Sequence, residues 1–174
     1  MSAFIILNSL DPRLHGTDFQ DQIKDIFFES SQKKEFANEK EKEAFAWKYL
    51  DFYKTHYPQD LWLAVKNNSV LGYVLGMPFT KDTSLYSIQP HLKTFEKFFD
   101  TYPAHLHINC HHESRGQGVG AQLVFHFLNH YRNQNIGGIH IITGSDSRNR
   151  DFYRRLGFTF ETSQLGMCLM GCSL

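Results

Sequence analysis

A chain of 174 residues is long enough to bury roughly 70 % of its unfolded surface, and its length points to a single domain over 1–174. Lys+Arg and Asp+Glu balance at 18 each, which argues against a nucleic-acid-binding protein, and no apolar stretch approaches the length of a membrane span. The opening residues 1–7, Met-Ser-Ala-Phe-Ile-Ile-Leu, lack a basic region and read as an edge strand, not a signal peptide. Cys110, Cys168 and Cys172 are odd in number and lack metal-ligand spacing, so free thiols in a reducing compartment, the cytoplasm, are expected.

In chain order, Phe4 to Leu7 forms the first strand. From Thr17 to Ser30, Phe19, Ile23, Ile26 and Phe27 recur at helical spacing behind Thr17 as N-cap. The charged stretch from Gln32 to Glu43 is a solvated connection and helix start. Phe45, Tyr49, Leu50 and Tyr53 then carry a second helix to about Thr55, ended by Pro58. Leu61 to Val65 and Val70 to Phe79 flank Asn67-Asn68 as a hairpin, with Gly72 and Gly76 marking bulges or close backbone approach. Phe95, Phe98 and Phe99 predict a short helix after Pro90.

His105 to His111 alternates as a strand, with Leu106, Ile108 and Cys110 on one face and His105, His107, Asn109 and His111 on the other. Adjacent side chains on an extended segment point to opposite faces, so His111 and His112 are not expected to share a metal ion, and no metal site is expected. Leu123, Val124, Phe127, Leu128 and Tyr131 form the buried stripe of a helix from Gly118 to about Gln134. Ile139 to Ile142 reads as a central strand. Arg148 to Leu156 reads as a short helix closed by Gly157, with Asp146 as a candidate N-cap. Phe158 to Glu161 and Gly166 to Cys172 form a terminal hairpin.

The richest stretch is Glu113-Ser-Arg-Gly-Gln-Gly-Val-Gly-Ala-Gln-Leu-Val124. Glycines at 116, 118 and 120 lie between a strand and an amphipathic helix, where backbone can approach an anion and the helix offers its unpaired N–H groups. That arrangement suits a pyrophosphate. It is not a P-loop, which needs Lys-Ser/Thr after the glycines, nor the G-x-G-x-x-G of an early dinucleotide-binding unit.

Arg115 heading R-x-x-G-x-G, followed later by Phe152-Tyr153-Arg-Arg-Leu156-Gly157-Phe158 as F-Y-x-x-x-G-F, resembles the GNAT family, the Gcn5-related N-acetyltransferases. The order of elements also matches. The resemblance implies an α/β GNAT fold with a mixed, mostly antiparallel central sheet flanked by helices, and a splayed parallel strand pair that binds acetyl-coenzyme A. It implies direct acetyl transfer to a primary amine of a small molecule or peptide, with no acyl-enzyme intermediate. A homodimer is compatible with it.

Residue by residue, the resemblance assigns pyrophosphate contacts to Gly116, Gln117, Gly118, Val119, Gly120 and Ala121, with Arg115 shaping the loop. Cys110 takes the position whose main chain pairs with the pantetheine arm, and its thiol is otherwise read as inert packing. Tyr153 takes the place of the acid that protonates the departing thiolate. Phe152 and Leu156 share an i, i+4 core stripe, leaving Tyr153 turned to the cofactor side or else packed in the core. His107 is the candidate base, and Asn109 could order a water. The family's N-x-x-A-x-x-F-Y pattern is broken, because Asp146 and Asn149 stand at its Asn and Ala places. Asn149 and Arg155 complete the expected coenzyme contacts, one of Arg148, Arg150, Arg154 and Arg155 reaching the 3′-phosphate. Within the family, Pro103-Ala-His-Leu-His-Ile108 resembles the acetyltransferase-like domains associated with O-GlcNAc hydrolases, some of which do not bind coenzyme. The rival expectation is therefore a non-catalytic acyl-coenzyme A-binding or scaffolding domain.

Overall fold

A computed structural model of the chain describes residues 4–174. Met1, Ser2 and Ala3, the start of the segment read as a strand without a leader, lie outside the described residues. The elements run β1 (Ile5–Asn8), α1 (Phe19–Ser30), α2 (Glu39–Ala46), α3 (Phe52–His56), β2 (Leu61–Lys66), β3 (Ser69–Met77), α4 (Thr83–Ile88), β4 (Ala104–Cys110), α5 (Val119–Arg132), β5 (Gly138–Gly144), α6 (Arg150–Arg155), β6 (Phe160–Gln164) and β7 (Met167–Ser173). The strands form one seven-stranded sheet in the order β1-β2-β3-β4-β5-β7-β6. β4 and β5 run parallel, whereas β1–β2, β2–β3, β5–β7 and β6–β7 are antiparallel. The parallel ladder joins only Ala104 to Ile139 and His105 to His140, at the start of both strands. No helix among the described residues is long and apolar enough to cross a membrane.

The chain divides into two compact units, one of Met1–Gly76 with His107–Phe127, the other of Met77–Leu106 with Leu128–Leu174. In the first, Ile23, Ile26 and Phe27 bury one face of α1, as their spacing predicts. Thr17 is not its cap: its hydroxyl donates to the Leu14 carbonyl at 2.8 Å, closing the preceding turn, and Asp18 takes the cap position. Asn38 caps α2 by accepting from the Glu41 amide at 2.9 Å. The single helix expected from Phe45 to Thr55 is interrupted, because Trp47–Asp51 is a π-helical turn joining α2 to α3. Such a turn accommodates an extra residue without breaking the helix. Leu50, Phe52 and Tyr53 still reach the core.

Asn67 and Asn68 both take positive φ (51° and 62°), the requirement of a two-residue hairpin turn whose twist matches its strands. The β2–β3 register slips between Ala64 and Val65, opposite Gly72 and Val70. A Cβ at Gly72 would lie 2.8 Å from Cys110 Sγ and 2.9 Å from the Asn109 carbonyl, so the bulge and the close approach expected there coincide. Only glycine lets β3 meet the end of β4 this closely.

In the second unit, α4 went unpredicted. Asp82 caps it, its carboxylate accepting from the amides of Ser84 and Leu85. The helix after Pro90 is a 3-10 helix, Pro90–Phe98, which stacks Leu92 and Phe95 on one edge by its three-residue repeat. Ile139 and Ile141 bury β5, and Leu165 and Gly166 turn β6 into β7 with φ of 51° and 74°. His105 is buried with Nδ1 2.8 Å from Thr80 Oγ1. The Thr80 proton goes to the Pro103 carbonyl at 2.7 Å, so His105 Nδ1 is the donor of that pair.

Candidate functional site

The glycine segment begins where β4 stops. His112–Ser114 is a 3-10 turn, and buried Ser114 holds it, with Oγ 2.7 Å from both the Leu71 and His111 carbonyls. The Gln117 side-chain amide donates to the Glu113 carbonyl at 2.7 Å. Gly116 and Gly118 take φ of +75° and +79°, and nothing lies within 4 Å of a Cβ built at either. Glycine is required there by backbone conformation, and the space beside it is open. α5 follows directly; its Gln122 amide donates to the Gly118 carbonyl at 3.0 Å. The preceding amides, of Val119, Gly120 and Ala121, have no acceptor within the helix and carry the positive end of its dipole. Leu123, Val124 and Phe127 anchor this first half of α5 in the core, so the amides are presented by a rigid element. Arg115 is exposed. It opposes, without overcoming, the burial that pushes the Cys110 thiol up to about 11, so Cys110 is a neutral thiol at physiological pH. That agrees with the packing role read for its side chain. Its carbonyl accepts from Ser30 Oγ at 3.4 Å.

Behind the loop, the polar residues of β4 are held by two buried tyrosines that sequence reasoning did not connect to it. His107 Nε2 lies 3.1 Å from Tyr53 Oη, and Asn109 Nδ2 donates to Tyr73 Oη at 2.8 Å. The His107 ring also meets Tyr49 edge-on at 6.3 Å. Burial raises the Tyr73 phenol well above its ordinary value, leaving it a neutral partner for Asn109. In the sequence Tyr53 stands in the apolar stripe of its helix and Tyr73 within the second hairpin arm, and neither place announces the hydroxyl.

The expectation that His111 and His112 diverge is overturned. β4 ends at Cys110, His111 (φ −52°, ψ 140°) turns the chain, and His112 opens the 3-10 turn, so the strand's alternation no longer applies. Their rings lie 4.5 Å apart. Both face Glu29 in the last turn of α1; His112 Nδ1 contacts Glu29 Oε1, and His111 Nε2 lies 3.8 Å from Oε2. Burial works to raise the Glu29 carboxyl, but the two imidazoles outweigh it and hold the group below its usual range. A cleft of about 420 Å³ lined by Phe28, Lys33, Lys34, Phe36, Asn38, Glu39 and Lys42 shares no residue with the glycine loop.

In the second unit, α6 differs from its expected orientation. Tyr153, not Phe152, is the buried residue, 6 % exposed, with its ring 5.4 Å from Phe158 and 5.2 Å from the half-buried Phe152. Leu156 remains buried as expected. Asp146 does not cap the helix; Asn149 takes the cap position and its Oδ1 accepts from Thr143 Oγ1 at 3.1 Å. Arg150 and Arg154 are committed to Glu161, at 2.6 Å and 2.5 Å. Arg148 and Arg155 are exposed.

The Arg154 and Arg150 guanidiniums lower the Glu161 carboxyl from 4.5 to about 2. A carboxyl depressed in the folded state contributes stability that is fully present above its unfolded value and is lost as pH falls through the folded one. Urea midpoints should therefore drop between pH 4.5 and pH 2, and Glu161→Gln should flatten that drop while lowering the midpoint at pH 7. An identical pH profile in the variant would show that the ion pair contributes nothing measurable.

The family model of the acetyltransferase (GNAT) family matches residues 20–158, and the chain belongs to this family. The crystal structure of SsHAT is similar over 99 % of this chain and 98 % of that one, at a TM-score of 0.80 and 19 % identity. The PaiA N-acetyltransferase of Thermoplasma acidophilum, crystallised in complex with coenzyme A, is similar over 100 % of both chains, at 0.60 and 12 %. The NatC complex bound to Gag peptide and coenzyme A contains a similar chain, at 0.63 and 14 %, over 99 % of both. No curated protein sequence matches the chain. The mixed sheet and flanking helices are those of the GNAT fold.

Proposed function

We propose that the protein is an acetyl-coenzyme A-dependent N-acetyltransferase that moves the acetyl group directly to a primary amine. The observation that carries this reading is the loop from Arg115 to Gly120. Two left-handed glycines with open space beside them lead into the amides of a 14-residue helix, a geometry suited to a pyrophosphate and matching the family's phosphate-loop pattern. Solved relatives of the same fold carry coenzyme A, which supports the cofactor. In this reading Gly116, Gln117, Gly118, Val119, Gly120 and Ala121 hold the pyrophosphate, Arg115 orders the loop, and the main chain of Cys110 meets the pantetheine arm. Asn149 and Arg155 contribute from α6.

Arg150 and Arg154 are spent on Glu161, so a 3′-phosphate contact falls to Arg148 or Arg155. Chemically, the amine must be neutral to attack the thioester carbon. His107 accepts its proton, Tyr153 protonates the sulfur as the C–S bond breaks, and the products are the amide and the free thiol. The 1–174 chain acts as one cytoplasmic domain, consistent with its three free cysteines. Its acceptor is a small-molecule or peptide amine, with no role for nucleic acid or membrane.

Acetyl-coenzyme A should raise the melting temperature in a concentration-dependent way. A panel of amino sugars, aminoglycosides, polyamines and peptides with free N-termini or lysines should then yield free thiol with at least one acceptor. Absence of thermal stabilisation overturns the reading entirely. Stabilisation without turnover on any amine overturns the catalytic part and leaves a coenzyme-binding module.

A further inference from the structure

We propose that Glu29, His111 and His112 form a binding site for a divalent transition-metal ion of the zinc class. The ligand atoms would be a Glu29 carboxylate oxygen, His111 Nε2 and His112 Nδ1, with water in the fourth position. The site does not rest on the acetyl-transfer reading, although His111 and His112 lie in the chain between Cys110 and the Arg115–Gly120 loop. The three groups come from two elements, the last turn of α1 and the turn that follows β4, and they converge because the strand's alternation ends at Cys110.

Their ligand atoms all lie within 4.8 Å of one another. Zinc at roughly 2.0–2.2 Å from each N and O ligand needs those atoms roughly 3.3–3.5 Å apart, so small side-chain rotations close the site. Two imidazoles and one carboxylate suit zinc better than calcium or magnesium, which prefer all-oxygen shells.

The surroundings also fit. Glu29 and His111 are each about one-third exposed and His112 is 59 % exposed, so an ion can enter and a water can remain bound. Coordination through His111 Nε2 places that ring's proton on Nδ1, 4.0 Å from the Glu113 carboxylate, which a side-chain rotation would bring into hydrogen-bond range. The 3.4 Å contact from the Glu113 amide to Nδ1 is given up. At His112, coordination through Nδ1 would replace its contact with Glu29 Oε1 and leave the ring proton on Nε2. Ser30 already ties the end of α1 to the Cys110 carbonyl, and the ion would add a second link at the same place.

The test titrates chelator-treated protein with Zn²⁺ against a chromophoric competitor. Wild type should bind one ion per chain with micromolar affinity or tighter, and Zn²⁺ should raise its melting temperature. His112→Gln and Glu29→Gln should each weaken binding at least tenfold and lose that stabilisation. His15→Gln, an exposed histidine outside the cluster, should behave as wild type. Because His112 lies at the surface, its variant tests binding without disturbing the core. Cobalt provides a second readout: the intense visible absorption of a four-coordinate ion should appear with wild type and vanish with His112→Gln. Either of two results overturns the site: no saturable binding by wild type below millimolar zinc, or equal affinity in wild type, His112→Gln and Glu29→Gln.

Discussion

Tyr153→Phe should lower acetyl turnover by roughly 10²-fold or more, the usual worth of a positioned general acid, while leaving coenzyme affinity within about twofold. The substitution removes one oxygen and keeps the ring that packs on Phe158, so the fold should persist. The burial of Tyr153 sharpens the experiment. A phenol can donate its proton to a departing thiolate, yet a merely packed tyrosine would be just as buried. The two roles part in kcat. Loss of kcat with unchanged coenzyme binding identifies the acid, whereas full activity in the variant returns Tyr153 to the core. A smaller loss that grows with poorer leaving groups would indicate that thiolate departure is only partly rate-limiting.

A carboxylate at position 120 should separate folding from coenzyme binding. Gly120 is the second residue of α5, where replacing glycine raises helix propensity and a negative side chain is favoured by the helix dipole. Gly120→Glu should therefore fold at least as stably as wild type in the absence of ligand. The same carboxylate would occupy and repel the place of a pyrophosphate. Losing two charge-assisted hydrogen bonds at about 1.5–3 kcal/mol each corresponds to an affinity lower by at least roughly 10²-fold. Calorimetry on the folded variant checks this. Unchanged affinity would falsify the assignment of the loop.

The parts of the molecule legible in the sequence are those whose cause is local. Asn67-Asn68 implies its turn because few residues tolerate two successive positive φ values, and α5 declares itself by a stripe from Leu123 to Tyr131. The glycines at 116 and 118 fall in the same class, since glycine adopts the left-handed backbone at the least steric cost. What stayed hidden depends on neighbours distant in sequence. Which of the adjacent Tyr153 and Phe152 is the more buried depends on packing that the local pattern does not carry. His111 and His112 were read as strand, and the strand stops one residue earlier because Ser114 pulls the chain into a turn against the Leu71 carbonyl. α4 offered an Asp82 cap but buries only Leu85, too little periodicity to notice. Tyr53 was legible as part of a helical stripe, but its hydrogen bond to His107 and that of Tyr73 to Asn109 were not.

The π-helical turn at Trp47–Asp51 acts as a phase shifter. An α-helix advances about 100° per residue, so one residue inserted or removed within that turn swings everything beyond it by roughly a quarter of a circle. Tyr49 lies inside the turn and Tyr53 just past it, and both rings meet His107. Tyr53 comes within 3.1 Å of Nε2 from the helix that follows this wide turn. Shortened by one residue to a regular helix, the segment would keep its length to within a single rise. It would turn Phe52 or Lys54 towards the imidazole instead of the phenol. The surroundings of His107 on β4 are thus set by helix pitch as well as by residue identity.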